Sequence, residues 1–202
     1  MIAILDSGIG NVGSVLNALT FLGADARIVG DAASLESAAR IVFPGVGAFG
    51  PAVERLHERG LFDVVKRLAL RAKSGDGAPF LGVCVGMQLF FEGSAESPGA
   101  IGLGVYAGEC ERFAARKVPH MGWNALEPLP AARSLRVEPG VMAYFVHSYF
   151  ARECQSAALA CEYEGERFVA AVEEKRLTGV QFHAEKSGAV GLSLMRSWLE
   201  ST

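Results

Sequence analysis

Short unbroken apolar runs alternate along the first half of the chain with stretches in which apolar residues return every three or four positions. Residues 2–5 and 80–84 are of the first kind, and residues 40–43 join them, broken by Pro44-Gly45. Such runs read as strands buried on both faces. After Gly8 and Gly10 a helical pattern covers residues 11–22 and stops at Gly23. Residues 53–72 carry Val53, Leu56, Leu61, Val64, Val65 and Leu68 at helical spacing, and a further helix begins at residues 87–91. This β-α-β-α alternation predicts a mostly parallel sheet with helices on both faces.

The second half reads differently. Residues 142–150, 157–163, 168–173 and 177–182 read as strands joined by short turns, and residues 187–199 as a closing helix. Antiparallel pairing on the same sheet is expected there. The loop-like stretches at 73–79, 93–99 and 127–132 are short, and no repeat or low-complexity linker interrupts the chain. The expectation is one α/β domain over residues 1–202, with a mixed, mostly parallel central sheet flanked by helices.

Composition narrows the function classes. Half of the 202 residues are hydrophobic, and 19 Lys and Arg against 22 Asp and Glu leave a net charge of −3. Such a balance has no global attraction to nucleic acid or to an anionic membrane. The start, MIAILDSGIG, lacks the basic region of a secretory leader, and no stretch approaches the roughly 20 apolar residues of a membrane span. A cytoplasmic protein is the expectation. Cys84, Cys110, Cys154 and Cys161 form no CxxC pair, so neither a zinc site nor a redox dithiol is suggested, and free thiols are expected.

The sharpest chemical signal is Gly82-Val83-Cys84-Val85-Gly86, between a predicted strand and a predicted helix. This is the G-x-nucleophile-x-G spacing of a nucleophile elbow. The turn is so tight that side chains two residues either side of the nucleophile would collide, which glycine avoids. It sets the sulfur at a helix N-terminus, where negative charge is favoured, and aims backbone N–H groups at the oxyanion of an attacked carbonyl. The pentapeptide alone fits a buried core cysteine equally well. Its place between strand and helix favours the functional reading.

A thiolate nucleophile needs a base, and the chain has four histidines: His57, His120, His147 and His183. His57 lies among charges in a helical pattern and reads as solvated. His183 ends the apolar run Val180-Gln181-Phe182, and the carboxyl ends of strands are where catalytic groups gather in such sheets. Glu185, two residues on, is placed to hold one imidazole nitrogen and leave the other to the thiol. Alone, His183-Ala184-Glu185 also reads as an ordinary polar strand end.

Together the elbow and the His-x-Glu resemble the triad of class I glutamine amidotransferases, and the resemblance spans essentially the whole chain. Pro44-Gly45-Val46-Gly47 looks like that family's oxyanion strand, Gly82 to Gln88 like its nucleophile motif, and Gln181 to Ser187 like its His-Glu motif. Lys117 to Asn124, Tyr144 to Tyr149 and Asp6-Ser7-Gly8-Ile9-Gly10-Asn11 narrow it to a branch that supplies ammonia for histidine biosynthesis. Ser7 stands where Tyr is common, Ala184 replaces the Pro of His-Pro-Glu, and Gly188 replaces a frequent Gln.

The resemblance implies Cys84 as nucleophile, His183 as base and acid, and Glu185 as orienter. It implies an oxyanion hole from Val46, Gly47 and Val85, and a glutamine pocket with Gln88, Glu96 and Tyr149. Asn11, His120 and Trp123 are implied at a heterodimer interface with a (β/α)8-barrel cyclase (synthase) subunit that takes the ammonia. Trp123, read as lying in a loop, fits a core plug as well, and Glu96 fits a solvated loop residue. No metal or organic cofactor is implied, and neither nucleic acid nor membrane. Two other readings compete: a free-standing cysteine hydrolase, which needs no Pro-His-Met-Gly-Trp-Asn segment, and a non-catalytic binding module, which predicts loss of Cys84, His183 or Glu185.

Overall fold

The computed structural model describes residues 1–8 and 10–201; Ile9, in the opening motif, lies outside them. In the first half β1 (Ile2–Leu5), β2 (Ala26–Val29), β3 (Arg40–Gly45) and β4 (Phe80–Cys84) alternate with five helices. These are α1 (Val12–Phe21), α2 (Ala32–Glu36), α3 (Phe49–Glu58), α4 (Phe62–Ser74) and the single turn α5 (Val85–Gln88). The second half holds β5 (Gly93–Ser94), β6 (Glu109–Arg112), β7 (His120–Pro128), β8 (Val141–His147), β9 (Tyr149–Phe150), β10 (Ala157–Tyr163), β11 (Glu166–Glu174) and β12 (Leu177–Val180). A 3-10 turn (Ala184–Lys186) and α6 (Gly188–Glu200) close it.

Among the described residues, nine strands form one sheet in the order β2-β1-β3-β4-β12-β11-β10-β7-β8. From β2 to β12 it is parallel, and from β12 to β8 antiparallel. The mixed sheet and the antiparallel extension match the sequence pattern. A small second sheet joins β5, β6 and β9.

Four expectations are corrected. Pro44 does not break its strand: β3 continues to Gly45. β1 pairs with β3 only as far as Val42, so the N–H that Pro44 lacks falls where β4 alone is a ladder partner. The helical pattern over residues 53–72 is two helices, parted at Gly60, whose φ of 65° suits glycine. The helix expected to begin at Met87 instead starts at Val85 and ends within a turn. Leu103, Val105 and Tyr106 donate to the carbonyls of Leu89 and Phe90, replacing the bonds a longer helix would make. The stretch holding Trp123 is strand β7, not a loop. Its alternation is inverted, with His120 buried and Met121 and Trp123 exposed at 57% and 53%, so the period-two signal points the wrong way.

The run expected over residues 142–150 divides at Ser148, whose carbonyl takes the N–H of Phe113 and so carries the chain from one sheet to the other. β2, α2, β6 and the two-residue strand β5 had no clear sequence signal.

Glycines fix the closest approaches of the fold. A Cβ on Gly86 would stand 2.0 Å from the Phe43 carbonyl oxygen. Gly86→Ala is therefore expected to lower the unfolding free energy by roughly 3 kcal/mol, since backbone has to move. Gly13→Ala, on an exposed helical position with no atom nearer than 3.9 Å, should instead gain roughly 0.5–1 kcal/mol. Urea denaturation of both variants checks the contrast.

Candidate active site

Cys84 ends β4 and precedes α5 with φ 55° and ψ −112°. That conformation costs a non-glycine residue on the order of 1–3 kcal/mol. Its neighbours have no room for side chains. A Cβ on Gly82 would lie 2.7 Å from the Gly86 carbonyl oxygen, and one on Gly45 2.8 Å from the Gly86 nitrogen. The glycines do the work the elbow reading assigned to them, and Gly45 adds a third.

β12 runs parallel beside β4 with Val180 opposite Val83, which carries residues 181–185 past the elbow. His183 Nδ1 lies 2.8 Å from Glu185 Oε1, and Cys84 is close enough to act on the same ring. The carboxylate can only accept, so Nδ1 carries a proton and Nε2 is the nitrogen left for the sulfur. Burial opposes charge on this imidazole. The hydrogen bonds and negative charge of Cys84 and Glu185 outweigh it and raise the His183 pKa to about 9. The backbone is fastened as well. His183 N–H donates to the Tyr144 carbonyl (2.9 Å), Ser187 Oγ donates to the His183 carbonyl (2.7 Å), and Tyr144 N–H donates to Ser187 Oγ (2.9 Å). With Ala184 in place of the usual Pro, the His–Glu contact is still made.

Val46 and Gly47 directly follow the Gly45–Cys84 pair of β3 and β4, and Val85 opens α5. The three oxyanion candidates thus converge on the elbow. Gly47 has φ 100°, whereas the non-glycine residues at positive φ among those described are Cys84, Glu164 and Lys175, not Val46. Gln88 donates through Nε2 to both the Tyr149 carbonyl (2.8 Å) and Gln181 Oε1 (3.0 Å), so only its own carbonyl oxygen can turn to a ligand. Glu96 is not simply solvated: its Oε2 accepts the Phe49 N–H at 2.8 Å, serving the uncapped start of α3.

Asn11 caps α1, its Oδ1 accepting the Ser14 N–H at 3.2 Å, and is exposed. Trp123 lies edge-on to Tyr144, with its ring 3.8 Å from the Cβ position of Gly188, and is not a core plug. His120 is corrected: at 2% exposure it cannot touch a partner directly, because β7 turns it inward against His147. The remaining cysteines are unlike Cys84. Burial pushes the Cys110 and Cys161 thiols up to about 12 and also raises Cys154. All four are free thiols. His57 is exposed and stacks on Phe62.

The sequence reading missed Gln181. Its Nε2 reaches Cys84 Sγ at 3.7 Å, and its side chain is fully buried. The signal was present in its place two residues before His183, directly after the run that ends at Val180. A cleft of about 1300 Å³ lined by Lys73, Tyr106, Arg152 and Cys154 includes none of the residues at the elbow, so chemistry rather than surface shape marks the site.

The chain is similar to known proteins along nearly its whole length. A family model described as glutamine amidotransferase class-I matches residues 3–198. The imidazole glycerol phosphate synthase subunit HisH of Rhodopirellula baltica is 43% identical over 201 residues, covering 97% of this chain and 95% of that protein. The subunit of the same name from Methanothermobacter thermautotrophicus is 42% identical over 201 residues, covering 99% and 98%. A solved structure described as a glutamine amidotransferase superposes with a TM-score of 0.75 at 21% identity, covering 98% of this chain and 97% of that one. The match over residues 3–198 and relatives of this identity along nearly full length place the chain in one family: it belongs to the class I glutamine amidotransferases.

Proposed function

We propose that this chain, as one domain over residues 1–202, is the glutaminase subunit of an imidazole glycerol phosphate synthase in histidine biosynthesis. The observation that carries this reading is the buried His183 ring, its Nδ1 2.8 Å from Glu185 Oε1, beside the cysteine of a strained elbow. The relatives' shared name supports the identity of the synthase.

In the proposed reaction the Cys84 thiolate attacks the side-chain amide carbon of glutamine. The negative charge that develops on the amide oxygen is met by the Val85 N–H and by an N–H of the Val46–Gly47 segment. His183 gives its proton to the departing nitrogen, ammonia leaves, and a glutamyl thioester remains on Cys84. His183, now neutral, takes a proton from water; the resulting hydroxide adds to the thioester, and glutamate departs with the thiolate restored. Glu185 holds the ring orientation and favours its charge. Gln88 through its carbonyl oxygen, Glu96 through its carboxylate, and Tyr149 hold the glutamine head group. These protein groups complete the chemistry without a cofactor.

The ammonia passes to a (β/α)8-barrel cyclase subunit bound as a heterodimer. The exposed apolar side chains of Met121, Trp123 and Met142 on the adjacent strands β7 and β8, with Asn11, form the partner face. They lie beside the segment that holds His183, so the two subunits meet close to where ammonia is made. The cytoplasm is the proposed location: the cysteines are free, and no helix of the described residues is long and apolar enough to cross a membrane.

Cys84→Ala should abolish glutamine-dependent synthesis in the complex and leave synthesis from added ammonium salt unchanged; a folded, bound variant lacking both activities would refute the division of labour. The second expectation concerns pH. The proton given to ammonia sits on His183, whose pKa is raised to about 9. Glutaminase kcat/KM should accordingly fall on an alkaline limb near pH 9, as the imidazolium is lost, measured by glutamate release in the complex. Third, Trp123→Ala should weaken association by about tenfold or more, as loss of a central aromatic anchor does, with an unchanged melting temperature in the isolated chain. Titration calorimetry and thermal denaturation together separate this from a packing role.

A further inference from the structure

The side chains between the nucleophile and the inner face of β7 form one continuous hydrogen-bond chain, and each donor and acceptor in it is fixed by its neighbours. Tyr149 supplies a carbonyl, which can only accept. It takes an N–H of Gln88 at 2.8 Å and the Nδ1–H of His147 at 2.9 Å. Both assignments follow without freedom: the Gln88 amide must present its nitrogen there, and His147 must carry its proton on Nδ1. The second N–H of Gln88 then points to Gln181, which must answer with Oε1, at 3.0 Å. That orientation leaves the Gln181 amide nitrogen facing Cys84 Sγ at 3.7 Å.

The other arm of the chain is equally determined. With its proton on Nδ1, His147 offers Nε2 as an acceptor, and His120 Nδ1–H donates to it at 3.1 Å. His120 Nε2 in turn accepts from Asn124 Nδ2, 3.2 Å away, which also donates to the Glu162 carbonyl at 2.8 Å. Burial holds His120 down to about 4 and His147 down to about 3, so both rings are neutral near pH 7 and the tautomers persist.

We propose that Gln181 is a further catalytic residue, donating a hydrogen bond from its amide nitrogen to the reacting sulfur of Cys84, with Gln88, anchored on the Tyr149 carbonyl, as the positioning residue that fixes its orientation. The proposal rests on the reading of Cys84 as the nucleophile. An amide N–H cannot give up its proton near neutral pH, so Gln181 differs from His183: it stabilises negative charge on sulfur without competing for the proton that ammonia needs. A thiolate is a strong acceptor and a thioester sulfur a weak one. The bond is therefore strongest in the resting enzyme and again as the thiolate departs from glutamate, and weakest on the acylated enzyme. It favours the ionised nucleophile at the start of the cycle and the leaving sulfur at its end.

The test is the rate at which iodoacetamide alkylates Cys84, followed by mass spectrometry of the Cys84 peptide in the full-length chain from pH 6 to pH 10. Wild type is compared with Gln181→Met, which lacks the donor, and with Gln181→Glu, which keeps the shape and sets an oxygen against the sulfur. A hydrogen bond to a charged group predicts roughly tenfold slower labelling at pH 7 in Gln181→Met, a larger loss in Gln181→Glu, and a gap that closes by pH 10. Equal rates in folded variants, or a deficit of the same size at both ends of the pH range, would overturn the donor role while leaving Cys84 the nucleophile. Should Gln181→Met not fold, the isosteric Gln181→Glu decides the matter by the same measurement. A wild-type chain in which Cys84 stays unlabelled while Cys154 reacts would refute the reading of the nucleophile itself, and the proposal with it.

Discussion

The contact on which the rest of the molecule depends is the backbone approach of β3 to the turn after Cys84. Phe43 presents its carbonyl oxygen where a Cβ of Gly86 would otherwise stand, and Gly45 lies against the Gly86 nitrogen. With no side chains between them, β3, β4 and α5 meet main chain to main chain. That contact holds Cys84 in a conformation the residue would not adopt alone. The strain is offset by the packing around it, where Phe80 lies edge-on to both Phe43 and Phe90. Much of the site is placed from this junction: Val46 and Gly47 by the end of β3, and Gln181, His183 and Glu185 by the parallel pairing of β12 with β4.

The antiparallel half does a different task. Its strands bring two histidines, His120 and His147, into a core of phenylalanine rings, among them Phe113, Phe145 and Phe168. Buried polar atoms are costly unless paired, and here each ring nitrogen has its partner. Because β7 turns His120 inward, Met121 and Trp123, one and three positions after it, are turned out to solvent. One local choice of strand face thus produces both a polar line toward Cys84 and an apolar surface beside it. The same strand pair anchors the His183 backbone through the Tyr144 carbonyl and Ser187.

Most of the parallel half was legible because β1, β3 and β4 are largely unbroken apolar runs, and the elbow because its glycines are a steric necessity visible at fixed spacing. The proposed triad of Cys84, His183 and Glu185 followed from strand ends. What escaped the reading did so for identifiable reasons. β7 hid behind its inverted alternation, and Pro44 looked like a breaker because a ladder ending at Val42 is a tertiary fact. The two helices over residues 49–74 ran together because only the φ of Gly60 parts them. His120 was assigned outward by resemblance, when its side is decided by a strand the sequence did not reveal. Gln181 was quoted within a motif, but its donation to sulfur needed the orientation of Gln88, which a distant carbonyl at Tyr149 imposes.

The two tryptophans of the chain occupy opposite surroundings. Trp198 is enclosed in the core with the Arg40 guanidinium over its ring, whereas Trp123 stands in water on β7. An indole in water emits at longer wavelength than one in an apolar enclosure. The emission of this protein is accordingly the sum of a short-wavelength part, deaf to events at the surface, and a long-wavelength part that answers to whatever covers β7. The fold therefore carries its own optical gauge of that face, with an internal reference built into the same chain.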